Sequence, residues 1–86
     1  MSLIEQWANN LGATEPINGS WINAIANEYG ATNTNNNTLL DIAIQLGASN
    51  VNGNLYQSIA IKLTNKVDMT PINGSYLARI VETTIP

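Results

Sequence analysis

The sequence predicts an all-α fold, a compact array of five short amphipathic helices in one domain of residues 1–86, and three observations predict it. A five-residue phrase returns, Pro16-Ile17-Asn18-Gly19-Ser20 as Pro71-Ile72-Asn73-Gly74-Ser75, with Val51-Asn52-Gly53-Asn54 as a proline-less version between them. Behind each phrase the apolar residues fall at i, i+3, i+4 and i+7, the stripe of an amphipathic helix. Capping residues then recur at both ends of the stripe. Self-similarity at a fixed short period marks an array of units that cannot bury an apolar face alone and must stack.

In chain order, the first unit carries Ile4, Trp7, Ala8, Leu11 and Gly12, one step of 18 residues before Ile22, Ile25, Ala26, Tyr29 and Gly30 of the second. A step of 17 leads from Gly30 to Gly47 and from Ile25 to Ile42, which puts Leu39, Ile42, Ala43 and Leu46 on the third stripe. The same step reaches Ile59, and the fourth stripe is Tyr56, Ile59, Ala60 and Leu63. A longer step of 21 residues separates Ile59 from Ile80, and the fifth unit keeps Leu77, Ile80 and Val81 but has Thr84 at the closing position. Early fraying of that last helix is expected.

Asn18, Asn52 and Asn73, with Asn35 in the third unit, fit N-caps that accept the free N–H groups of a first turn. Ile17, Val51 and Ile72 then supply a hydrophobic staple against Ile22, Tyr56 and Leu77. Ser20, Asn54 and Ser75 offer a competing cap two residues later, and both registers stay open. Gly12, Gly30 and Gly47 suit the left-handed residue that ends a helix. The rival reading is strand, because Asn-Gly favours tight hairpins and Ile42, Ile44, Leu46 and Ile59, Ile61, Leu63 alternate. That alternation fails in the first, second and fifth units, whereas the helical stripe runs through all five.

The position held by Asn9, Asn27 and Glu82 is Ile44 in the third unit and Ile61 in the fourth. Either those two helices form the centre of the domain between polar outer caps, or Ile44 and Ile61 face a partner. The segment Asn65-Lys66-Val67-Asp68-Met69-Thr70-Pro71 lacks a helix-ending glycine. It reads as an inserted turn that aims the last helix or as a functional loop.

Composition narrows the chemistry. With neither cysteine nor histidine there is no disulfide, thiolate, imidazole base or usual metal ligand set. No metal, cofactor or catalytic residue is expected, and the chain reads as a non-enzyme. Glu5, Glu15, Glu28, Asp41, Asp68 and Glu82 fall at unrelated unit positions and read as solvated surface acids rather than a catalytic pair. The asparagine-rich stretch at 33–38 offers no acid to anchor calcium. The N-x-Ser/Thr triplets at Asn18, Asn36 and Asn73 lie in capping loops, and capping explains them better than glycosylation. The net charge is −3, and Lys62, Lys66 and Arg79 are scattered, which argues against nucleic acid as a partner. No apolar run reaches a membrane-spanning length, and no secretory signal opens the sequence, so a soluble product of a cytoplasm is expected.

Charged residues make up 10 % of the chain, against about 25 % in an ordinary domain. A small protein so weakly charged tends to associate, which fits multiple copies in an assembly. Ile44, Ile61, Trp21 and Tyr76 are the interface candidates, the last two sharing the position beside the cap.

The phrase Asn-Gly-Ser, then an aromatic, an aliphatic, two spacers, Ile-Ala and a closing Tyr/Leu-Gly-Ala resembles the short helical repeats in virion proteins of tailed bacteriophages, particularly those infecting cyanobacteria. Residues 18–31 carry it most clearly, with 52–63 and 73–81 as weaker copies. The resemblance implies a non-enzymatic structural component of the particle, located in the virion and partnered by capsid or tail proteins. Such a component is a capsid cement or decoration protein, or a small element of tail, neck or fibre. The family offers no catalytic residues, and this chain differs from its long fibre proteins in having only five copies. A small intracellular adaptor or inhibitor that binds one host protein is the alternative.

Overall fold

The computed structural model describes residues 1–31, 36–48 and 54–86. Five helices follow in order: α1 (Leu3–Asn10), α2 (Trp21–Tyr29), α3 (Thr38–Leu46), α4 (Leu55–Thr64) and α5 (Tyr76–Thr84). Among the described residues there is no strand. Two isolated bridges, Ile17 with Ser20 and Ile72 with Ser75, are the only extended pairing there.

Helices of eight to ten residues are marginal alone in water, so their ends and their packing decide whether they form. The start of each is fixed by the later of the two cap registers. Ser20, Asn54 and Ser75 are the N-caps of α2, α4 and α5, Asn37 caps α3 and Ser2 caps α1. Each side-chain oxygen accepts the N–H three residues on, at 3.0 to 3.3 Å.

Asn18 and Asn73 do something else. With φ of 52° and 50°, followed by Gly19 and Gly74 at 74° and 77°, they form two-residue turns in which both central residues are left-handed. Ile17 and Ser20 exchange both backbone hydrogen bonds across the turn, at 3.1 and 2.9 Å, and Ile72 and Ser75 do the same. The hairpin preference of Asn-Gly is therefore real, but it spans one residue pair and delivers the chain into a helix. Ile17 and Ile72 consequently stand three residues ahead of the cap, outside the position from which a staple acts. Asn35, Val51 and Asn52, the remaining residues of the earlier register, lie outside the described residues.

The helix ends share one geometry. Gly30 and Gly47 are left-handed, and Ala31 and Ala48 donate back to Ala26 and Ala43 at 2.9 Å, the double closure of a Schellman motif. Gly12 and Ala13 repeat it on Asn9 and Ala8. In α4 the missing glycine is replaced by Asn65, left-handed at φ 60°, whose N–H reaches Ile61 O at 2.7 Å. Helix α5 does not fray early. It runs through Thr84, whose hydroxyl donates to Ile80 O at 2.9 Å and accepts from Asn10 Nδ2 at 3.1 Å.

The stripes meet in one core. Trp7, Ile25, Ile42, Ile59 and Ile80 are each completely buried, one per helix and all at the unit position the sequence alignment equates. Ala8, Ala26, Ala43, Ala60 and Val81 follow them inward. Each helix packs on its chain neighbours, α1 on α2, α2 on α3, α3 on α4 and α4 on α5, and α5 returns to α1. The circuit is closed, within Cα extents of 34 × 28 × 19 Å. A closed circuit has no outer units, so the expected division into a central pair and polar caps does not apply. Ile44 is 58 % exposed and cannot be core; Ile61 is half-buried.

Candidate functional site: an apolar cup at the helix starts

The first residues of four helices converge on one concavity of about 620 Å³. Its apolar lining is Ile4 of α1, Trp21 and Ile22 of α2, Leu39 of α3 and Tyr56 of α4. Four of these, Ile4, Ile22, Leu39 and Tyr56, share the opening position of the helical stripe, one turn before the fully buried residue. The ring directs the buried residue to the centre and leaves this earlier position half-covered. Ser20, Asn36, Asn37 and Thr38 supply its polar groups. No charged side chain lines the cup.

Two aromatic groups there have unspent polar atoms. Among the described residues neither the Trp21 indole N–H nor the Tyr56 hydroxyl makes a hydrogen bond, whereas the buried Trp7 donates its N–H to the Tyr29 hydroxyl at 3.2 Å. Burial raises the Tyr56 pKa above its ordinary value. Tyr29 is raised too, by burial first, with the Trp7 hydrogen bond acting in the opposite direction.

The four interface candidates do not form one patch. Trp21 is in the cup. Tyr76 occupies the equivalent place on α5, which does not reach the cup lining, and Ile44 stands exposed on α3. Ile61 lines a separate 240 Å³ depression with Val67, itself 87 % exposed. Tyr56, Ile4, Ile22 and Leu39 were not singled out by sequence. Their shared unit position was the available signal, but it read as core because a stripe residue is normally buried along its whole length.

The loop after α4 borders a cleft of about 360 Å³ with α5. Its arginine is engaged: Arg79 donates from Nε to Thr70 O at 3.1 Å and from Nη1 to Glu82 at 2.8 Å. This arrangement ties the loop to the helix it precedes. One acid departs from expectation. Asp41 is 4 % exposed, at the α2–α3 side among Asn23, Asn27 and Thr38, and is not a solvated surface carboxylate. Among the described residues no cluster of acids could hold a metal ion, and no helix is long and apolar enough to cross a membrane.

Fold and cup together define a small all-α protein with an uncharged, apolar receiving surface. No protein-family model, no curated protein and no solved structure matches the chain.

Proposed function

We propose that the protein is a non-enzymatic structural component of a tailed-phage virion, a capsid cement or decoration protein or a small part of the tail, neck or fibres. It acts by adding buried apolar area where subunits meet. The observation that supports this reading is the uncharged cup of Trp21, Ile22, Leu39, Tyr56 and Ile4, a surface that gains free energy by being covered and has no group placed for chemistry. At about 25 cal/mol per Å², covering a few hundred Å² around such a cup supplies several kcal/mol before association costs are met. Repetition over many copies multiplies that gain across a particle. The phage assignment itself rests on the repeated Asn-Gly-Ser-aromatic phrase.

Quantitative mass spectrometry of purified particles tests it. Copies near the number of the major capsid protein indicate a cement or decoration role, and a small multiple of three or six indicates tail or neck. Absence from particles removes the reading. A cup that holds only a few side chains also suits the second reading, a small intracellular adaptor or inhibitor, and stoichiometric capture of one soluble host protein through Trp21 would select it.

A further inference from the structure

We propose that the cup binds an extended, uncharged, proline-rich segment of the partner, an inference that rests on the docking role given above and names the partner's chemistry. Three properties of the cup select it. Its lining is neutral, so a charged segment would lose hydration without gaining an ion pair. Its size, about 620 Å³, accommodates a few side chains and not the broad face of a second copy, which a stable dimer interface of roughly 800 Å² per partner requires.

The third property is the sign of its free polar groups. The Trp21 indole can only donate, and the Tyr56 hydroxyl has its proton to give. Asn37 uses Oδ1 to accept Leu40 N–H at 3.2 Å, which leaves its amide NH₂ as the outward group. Ser20 and Thr38 are already engaged with Asn23, at 3.3 Å each. The cup therefore offers donors and asks for acceptors.

An ordinary peptide brings one N–H donor for every carbonyl, and its donors would lie unmatched against this surface. Proline brings the carbonyl alone. Its polyproline II conformation is preformed, so less ordering entropy is lost on binding, and its flat apolar ring stacks on tryptophan and tyrosine.

Calorimetric titration of the intact chain with a blocked, neutral proline-leucine peptide tests the proposal, beside the same peptide with alanine in place of proline. The expected result is saturable binding of the proline peptide and much weaker binding of the alanine peptide. Trp21→Phe and Tyr56→Phe, which keep the ring and remove the donor, should each weaken binding roughly threefold to tenfold at unchanged circular dichroism. No saturable heat into the millimolar range, equal affinity for the alanine peptide, or full affinity in both Phe variants overturns it. So does concentration-dependent self-association that Trp21→Ala abolishes, because a second copy would then occupy the cup. Particle mass spectrometry is independent of all these outcomes, so failure of the peptide to bind leaves the virion reading standing.

Discussion

Ile42 and Ile59 carry the same task in adjacent helices, complete burial at the centre of the ring. Truncating either to alanine removes three carbons from a site with no solvent path, so Ile42→Ala and Ile59→Ala should each cost about 2 to 5 kcal/mol. Chemical denaturation with an unchanged slope checks this, and a loss below about 1 kcal/mol would mean the ring collapses onto the gap. Ile44, two residues from Ile42, is exposed, and Ile44→Ala should stay within about 0.5 kcal/mol of the parent. Tyr29 adds a pH dependence. Its ring lies 6.2 Å from that of Trp7 and its hydroxyl is held protonated to higher pH than in the unfolded chain. The unfolded state then binds fewer protons from about pH 10 upward, so this contribution is complete below that pH and is lost as pH rises through the folded-state value. Melting temperature should fall over that alkaline range, and Tyr29→Phe should flatten the fall. At this scale the buried residues were legible because burial in a helix is periodic. The burial of Asp41 was not, since its unit position is occupied by Ala24 and Ser58 in neighbouring helices, and nothing in the spacing distinguishes a covered acid from an exposed one.

Between helices, one long side chain near each helix end lies over the end of the helix before it. A Cβ placed on Gly12 would lie 3.6 Å from Glu28 Oε1, one on Gly30 would lie 3.9 Å from Gln45 Nε2, and one on Gly47 would lie 3.6 Å from Lys62 Cε. Asn10 plays the same part toward α5, donating to Val81 O at 2.9 Å. Helix C-termini are electronegative, so the lysine over α3 is favourable and the glutamate over α1 is not. Glu28→Gln should therefore raise stability by about 0.3 to 1 kcal/mol at low ionic strength, and Glu28→Lys by somewhat more, with the gain shrinking in salt. A Glu28→Gln variant no more stable than the parent would show that the carboxylate is already solvated away from the helix end. Helix starts and stops were readable from serine, asparagine and glycine, although the register of the caps was not. Asn-Gly-Ser carries two capping residues, and only the left-handed φ of Asn18 and Gly19 assigns the turn to the first and the cap to the second. The cup was hidden for a related reason: periodicity says which side of a helix faces inward, but not that the inward side at four helix starts faces a space the ring leaves open.

Over the whole molecule, the return of α5 to α1 changes how the protein should unfold. An open stack of repeats loses an end unit at the cost of one interface and keeps the rest, because its stability is a sum over neighbours. In a closed circuit every helix has two partners, and removing one exposes both. Without α5, Trp7 and Ile59 would lose the wall that Ile80 and Val81 provide, and Asn10 would lose both its acceptors, Val81 O and Thr84 Oγ1. The four helices that remain are eight to ten residues long and too short to persist without that packing. A chain ending at residue 70 should accordingly lose most of its helical circular dichroism rather than the fifth contributed by α5, and intact protein should melt in one transition with equal calorimetric and van't Hoff enthalpies. Retention of four-fifths of the helical signal, with a sharp melt, would show that α1 to α4 stand as an open stack and that closure is not what holds them. Asn10→Leu in the full chain separates the two possibilities without truncation: it keeps the bulk at the α1–α5 seam and removes the two hydrogen bonds, so a loss of about 1 to 3 kcal/mol spread over the single transition is expected of a ring, and early melting of α5 alone is expected of a stack.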